Sequence, residues 1–114
     1  MKGRFGDKQR IEHAIEAITE IEQYIADQTF DSFLANSMMR FACVKQLEII
    51  GEACNHIDVE TRNAHPDVEW RKIVGLRNLL IHEYFGVDAT LAWDIVQNNL
   101  PELKDQLLVV LEGI

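Results

Sequence analysis

Positive charge is scarce in this chain of 114 residues. Eleven lysines and arginines face 19 aspartates and glutamates, a formal net charge of −8 at pH 7. Such a balance repels polyanions at long range and argues against a broad, sequence-independent grip on nucleic acid. Any RNA or nucleotide partner needs a local basic site, and DNA is not an expected partner. An acidic surface also suits a protein partner. Proline and glycine are few, at two and six residues, which leaves little material for long loops or disorder. Also missing is any apolar run approaching the ~18 residues of a membrane span. The opening stretch, MKGRFGDKQRIEHAIEAITE, has no continuous apolar core of the kind a signal peptide carries. A cytoplasmic location away from membranes is therefore expected. Only two cysteines occur, Cys43 and Cys54. On one helix they share a face but stand about 16 Å apart along the axis. Disulfides need Cα atoms within roughly 7 Å, so both read as reduced thiols acting as small core residues.

What is present is ordinary globular material, 47% hydrophobic and 26% charged, in a length that suits one domain over residues 1–114. From Lys8 to Ala26, the residues Ile11, Ile15, Ile18 and Ile25 recur at helical spacing, widened by Ala14 and Ile21. Asp7 is the expected N-cap. Asp31 is expected to cap a second helix running to about Ile57, with Leu34, Met38, Phe41, Val44, Leu47, Ile50, Cys54 and Ile57 facing the core. Gly51 lies inside it, where a close helix approach or a bend is expected. The stretch DVETRNAHPDVEW reads as a connection, with His65-Pro66 a boundary. A third helix fits Glu69 to about His82, and Asp88 caps a fourth. Pro101 then opens or kinks a final segment in which Leu103, Leu107, Val110 and Leu111 form the stripe. Strand alternation is absent. The expectation is an all-α, up-and-down bundle of four to five helices. Met38, Met39 and Trp93 fit helical apolar patterns and read as core.

Chemistry concentrates in the third helix. The segment EWRKIVGLRNLLIHEY is locally cationic, with Arg71, Lys72 and Arg77 against Glu69 and Glu83. At 100° per residue Arg77 and Tyr84 fall on nearly one line and Asn78 and His82 on another. Arg77 and His82 themselves lie about 140° apart on the wheel. One straight helix would not aim both at a single phosphate, whereas a two-fold dimer with this helix at its interface would bring two copies into a shared cleft. Arg77 offers a permanently charged planar fork, and His82 titrates near neutrality. An RNA 2′-hydroxyl attacking its own phosphate needs a base, an acid and a cation, which these residues supply when doubled. The same residues also fit a solvated face and a satisfied buried imidazole.

Arg77, His82 and Tyr84 together form RxxxxHxY, which resembles the motif of the HepT subfamily of HEPN-domain toxin ribonucleases. The blocks LEIIGEACNHI, HPDVEWRKIVGLRNLLIHEYFGVD and WDIVQNNLPELKDQL resemble successive family blocks in order, from about Leu47 to Leu107. The resemblance implies a dimeric HEPN-type helical bundle with a composite cleft and metal-independent endoribonucleolytic cleavage of RNA. Arg77 and His82 carry over as catalytic residues, with Asn78 in support. Tyr84 carries over as the position at which a partner antitoxin, a minimal nucleotidyltransferase of the MNT type, attaches AMP. Phosphate added beside His82 would fill the cleft and repel RNA. Arg71, Lys72 and Arg62 are the remaining candidates for holding RNA. No cofactor is expected. His13, His56 and His65 show no short metal-ligand spacing with each other or with the cysteines, so no metal site is expected either. The alternative is a non-catalytic, substrate- or nucleotide-binding subunit of a two-component nucleotidyltransferase.

Overall fold

The computed structural model describes residues 3–76, 78 and 88–114. Its described elements are all helical: α1 (Gly3–Ile25), α2 (Phe30–Ala35), α3 (Ser37–Asn55), α4 (Val59–Ala64), α5 (Trp70–Val74), α6 (Ala89–Asp94), a π-helical turn at Ile95–Asn99, and α7 (Leu100–Glu112). The all-α bundle expected from the periodicity is what forms.

The bundle is organised around α1 and α3, which pack along their length, with α7 against α1 and α5 against α3. Ile11, Ala14, Ala17, Ile18 and Ile21 of α1 are buried, while Ile15 and Ile25 are only half-buried. The small residues Ala14 and Ala17 set the buried line, because they let the facing helix approach closely. On α3 the facing residues are Cys43, Leu47, Ile50 and Cys54, each fully buried. Both cysteines are free thiols, as their spacing predicts. Burial pushes the Cys43 thiol up to about 11 and that of Cys54 to about 12, the latter partly countered by Arg62.

Four expectations change. Asp7 is not an N-cap: α1 starts at Gly3, and Asp7 lies inside it, 1% exposed. Its carboxylate accepts the Asp58 N–H at 3.0 Å and the Thr61 hydroxyl. It thus satisfies an orphan donor at the start of α4 from another part of the chain. The second helix is two helices. Thr29, not Asp31, caps α2 through a capping box with Ser32. Asn36 then ends α2 and caps α3 by accepting the Met39 N–H at 3.0 Å. The break changes which side chains face inward. Phe33 is buried against the Trp93 ring, 5.0 Å between centroids, whereas Leu34, Met38 and Phe41 are exposed by 51%, 81% and 57%. The connection after α3 contains a short helix, α4, which ends at His65-Pro66 as expected. The third helix is interrupted: α5 closes at Gly75, a turn, and the Asn78 N–H donates to the Gly75 carbonyl at 3.1 Å.

Other expectations hold. Asp88 caps α6 by accepting the Leu91 N–H at 3.0 Å. Pro101 sits in the first turn of α7, directly after the π turn. Proline has no N–H and its ring crowds the carbonyl four residues back. A wider turn over Ile95–Asn99 lets the helix pass that point without breaking. α7 then buries Leu100, Leu103, Leu107 and Val110, and the Lys104 ammonium holds Glu22 of α1 at 2.7 Å.

Candidate functional site

The expected site begins where α5 ends, and its position is set by a glycine. A Cβ on Gly51 would lie 3.0 Å from the Ile73 carbonyl oxygen, so the absence of a side chain lets the backbone of α5 rest against α3. That contact fixes the exit of α5, from which the chain turns at Gly75 toward Asn78.

Between α3 and this exit lies a pocket of about 180 Å³ lined by Glu48, Gly51, Glu52, Asn55, Val74 and Asn78. Asn78 is exposed and places its amide beside a polar row of α3. Glu48, Glu52 and Asn55 share that face because residues three and four apart are helix neighbours. This row escaped the sequence reading, although its spacing around Gly51 is visible once Gly51 marks the approach. Its chemistry is amide and carboxylate, with no cation among the described residues that line the pocket. Glu52 is also bonded to the His56 ring at 2.9 Å.

The expected RNA-holding cations are dispersed. Arg71 is exposed on α5. Lys72 is ion-paired with Glu69 at 2.6 Å, and the hydrogen bond to Glu69, reinforced by its charge, raises the lysine above its ordinary range. The Lys72 side chain lines a different groove, between α5, α6 and α7. Arg62 is occupied at the C-terminus of α3. Its Nη2 donates to the carbonyls of Cys54 at 2.9 Å and Asn55 at 2.8 Å, and its Nε to that of Ile57 at 3.1 Å. A cation on the last carbonyls of a helix both fills orphan acceptors and complements the dipole. Arg77, His82 and Tyr84, and with them the angles of the wheel argument, lie outside the described residues. Among the described residues no three His, Cys, Asp or Glu side chains gather to hold a metal ion, and no helix is long and apolar enough to cross a membrane.

This helical bundle, with a polar pocket at the start of the RxxxxHxY segment, is of the HEPN type. The family model described as "Ribonuclease HepT-like" matches residues 14–110, and the chain belongs to that family. A protein of Methanocaldococcus jannaschii named "Putative RNase" is 40% identical over 96 residues, 84% of this chain and 88% of its own. The "Probable ribonuclease HepT" of Thermococcus cleftensis is 39% identical over 97 residues, 85% of this chain and 88% of its own. A further "Putative RNase", from Caldanaerobacter subterraneus, is 34% identical and covers 90% of this chain and 91% of its own. No solved structure gives a significant match.

Proposed function

We propose that this protein is the ribonuclease toxin of a toxin-antitoxin pair. It would act as a homodimer that cleaves RNA without a metal ion, through Arg77 and His82 of both copies. The observation that carries this reading is the RxxxxHxY motif at residues 77–84, lying within the family match over residues 14–110. The names of these relatives, "Putative RNase" and "Probable ribonuclease HepT", support the substrate class.

In the proposed reaction one His82 imidazole takes the proton of a ribose 2′-hydroxyl, and that oxygen bonds to the adjacent phosphorus. The bond from phosphorus to the 5′-oxygen breaks, and the protonated His82 of the second copy gives its proton to the departing oxygen. The products are a 2′,3′-cyclic phosphate and a 5′-hydroxyl. Arg77 neutralises the charge that grows on the phosphoryl oxygens, a role suited to its planar fork. The internal nucleophile explains the preference for RNA, since DNA lacks the 2′-hydroxyl. Asn78 would orient the RNA beside the polar row of α3.

Tyr84 is the proposed control point, with AMP attached by a nucleotidyltransferase antitoxin. A tyrosyl phosphodiester there puts negative charge and a nucleoside where the RNA phosphate must sit. The test is intact mass after co-expression with such an enzyme, followed by a cleavage assay. A gain of about 329 Da per AMP on Tyr84, with cleavage abolished, is expected. Cleavage by the unmodified protein that persists after AMP is attached to Tyr84 would refute this form of control. Nucleotide binding without any RNA cleavage would favour the non-catalytic subunit instead.

A further inference from the structure

The groove between α5, α6 and α7 combines an apolar floor with an acidic rim. Its floor is apolar, made by Ile73, Leu91, Ile95 and Leu103, and its rim carries Asp67, Glu69, Asp94 and Glu102 against Lys72, the one cation among the described residues that line it. Four carboxylates against one ammonium leave −3, and the ammonium is already held by Glu69 at 2.6 Å. The side chains at the rim are exposed, while Ile73, Ile95 and Leu103 are each only 7% exposed. The cavity measures about 230 Å³. That is below the roughly 300–1,000 Å³ of pockets that enclose whole small ligands, and it fits one or two anchoring side chains.

We propose that this groove docks a basic amphipathic segment of a separate protein partner, with aliphatic side chains on the floor and lysines or arginines at the rim. Charge complementarity selects the occupant. RNA phosphates and acidic peptides would meet four carboxylates of their own sign, whereas a cationic segment is steered in and held in register by them. An apolar floor rewards a segment with a hydrophobic face and distinguishes docking from diffuse attraction to an acidic protein. The inference stands apart from the ribonuclease reading, since none of these rim carboxylates has a part in the proposed RNA chemistry.

The experiment measures binding of a short fluorescent Leu/Lys amphipathic peptide to the full chain by anisotropy, at low and moderate salt. Removing two rim charges with Asp67→Asn and Glu102→Gln should weaken binding about tenfold, or about 1.4 kcal/mol. The α1 control, Glu12→Gln with Glu16→Gln, should bind as the wild type does, and circular dichroism confirms that each variant is folded. A Ser/Lys peptide of equal charge should bind much more weakly. Equal weakening by both charge pairs, or equal binding of the Ser/Lys peptide, would mean unspecific attraction and overturn the proposal. Self-association of the wild type that the rim variant abolishes would make a second copy the occupant and overturn it as well.

Discussion

The contact between Asp7 and α4 can be broken with a single substitution. In the Asp7→Ala variant the Asp58 N–H and the Thr61 hydroxyl both lose a buried, charged acceptor. A hydrogen bond to a charged group contributes about 1.5–3 kcal/mol, and a donor left without a partner in a buried site adds to the loss. Water can reach part-buried Asp58 and Thr61 once the carboxylate is gone, so we take about 3 kcal/mol for the pair. Against a total of about 5–15 kcal/mol for a domain, that is a large fraction. A domain of this length shifts its Tm by roughly 4 °C per kcal/mol, which places the variant about 12 °C below wild type. The assay is thermal and urea unfolding followed by circular dichroism at the helical band. Thr61→Val should cost about 1.5 kcal/mol, the low end of the range for a bond to a charged group. In the double variant it should cost almost nothing more, because its partner is already missing. A variant within about 0.5 kcal/mol of wild type, the range of ordinary surface changes, would refute the tertiary cap.

Three further outcomes follow from the same structure. Arg62→Ala should destabilise by about 2 kcal/mol through the three carbonyls it leaves at the end of α3, discounted for partial exposure. Cleavage per folded molecule should hold, and a raised KM for RNA would instead show that the guanidinium touches substrate. Gly51→Ala would gain about 1 kcal/mol of helix propensity, but its methyl meets the Ile73 carbonyl at 3.0 Å and must push α5 outward. Unfolding and cleavage assays should find it less stable and slower than wild type, and a more stable variant would contradict the close approach. The buried thiols also give a signed pH dependence. They ionise near 9.0 when unfolded but are held at about 11 for Cys43 and about 12 for Cys54 in the fold. Above pH 9.0 the native state therefore binds more protons than the unfolded state. Stability is whole below that value and falls as pH rises through the native values, by at most about 1.4 kcal/mol per pH unit for each thiol. Urea midpoints across that range should fall less steeply for Cys54→Ala than for wild type.

Periodicity made most of this architecture legible. Stripes such as Leu47, Ile50 and Cys54 are spaced by three and four, and burial on one face follows from helical geometry alone. Local capping was less legible. Asp7 and Asp31 both look like caps, yet the first is drawn inside a helix by a partner 51 residues away, and the second loses to the Thr29–Ser32 capping box. Asn36 hid a break because the apolar spacing continues through it, so Leu34, Met38 and Phe41 read as core although they face outward. The motif was legible as a set of residue types. The polar row of Glu48, Glu52 and Asn55 was not, since its role depends on Gly51 bringing α5 across α3. Arg62 shows the limit of counting cations: charge is visible in sequence, while its commitment to backbone carbonyls is a tertiary fact.

The proposed reaction assigns RNA cleavage to His82 and Arg77. Its most direct test is the rate at which purified wild-type and His82→Ala proteins cut an end-labelled RNA in the presence of a chelator, with products resolved by their termini. Loss of a general acid-base group predicts a fall of about 10²–10⁴-fold in a variant whose helical signal is unchanged, and 2′,3′-cyclic phosphate ends from the wild type. Equal rates in the two proteins, or cleavage that stops when the chelator is added, would contradict it.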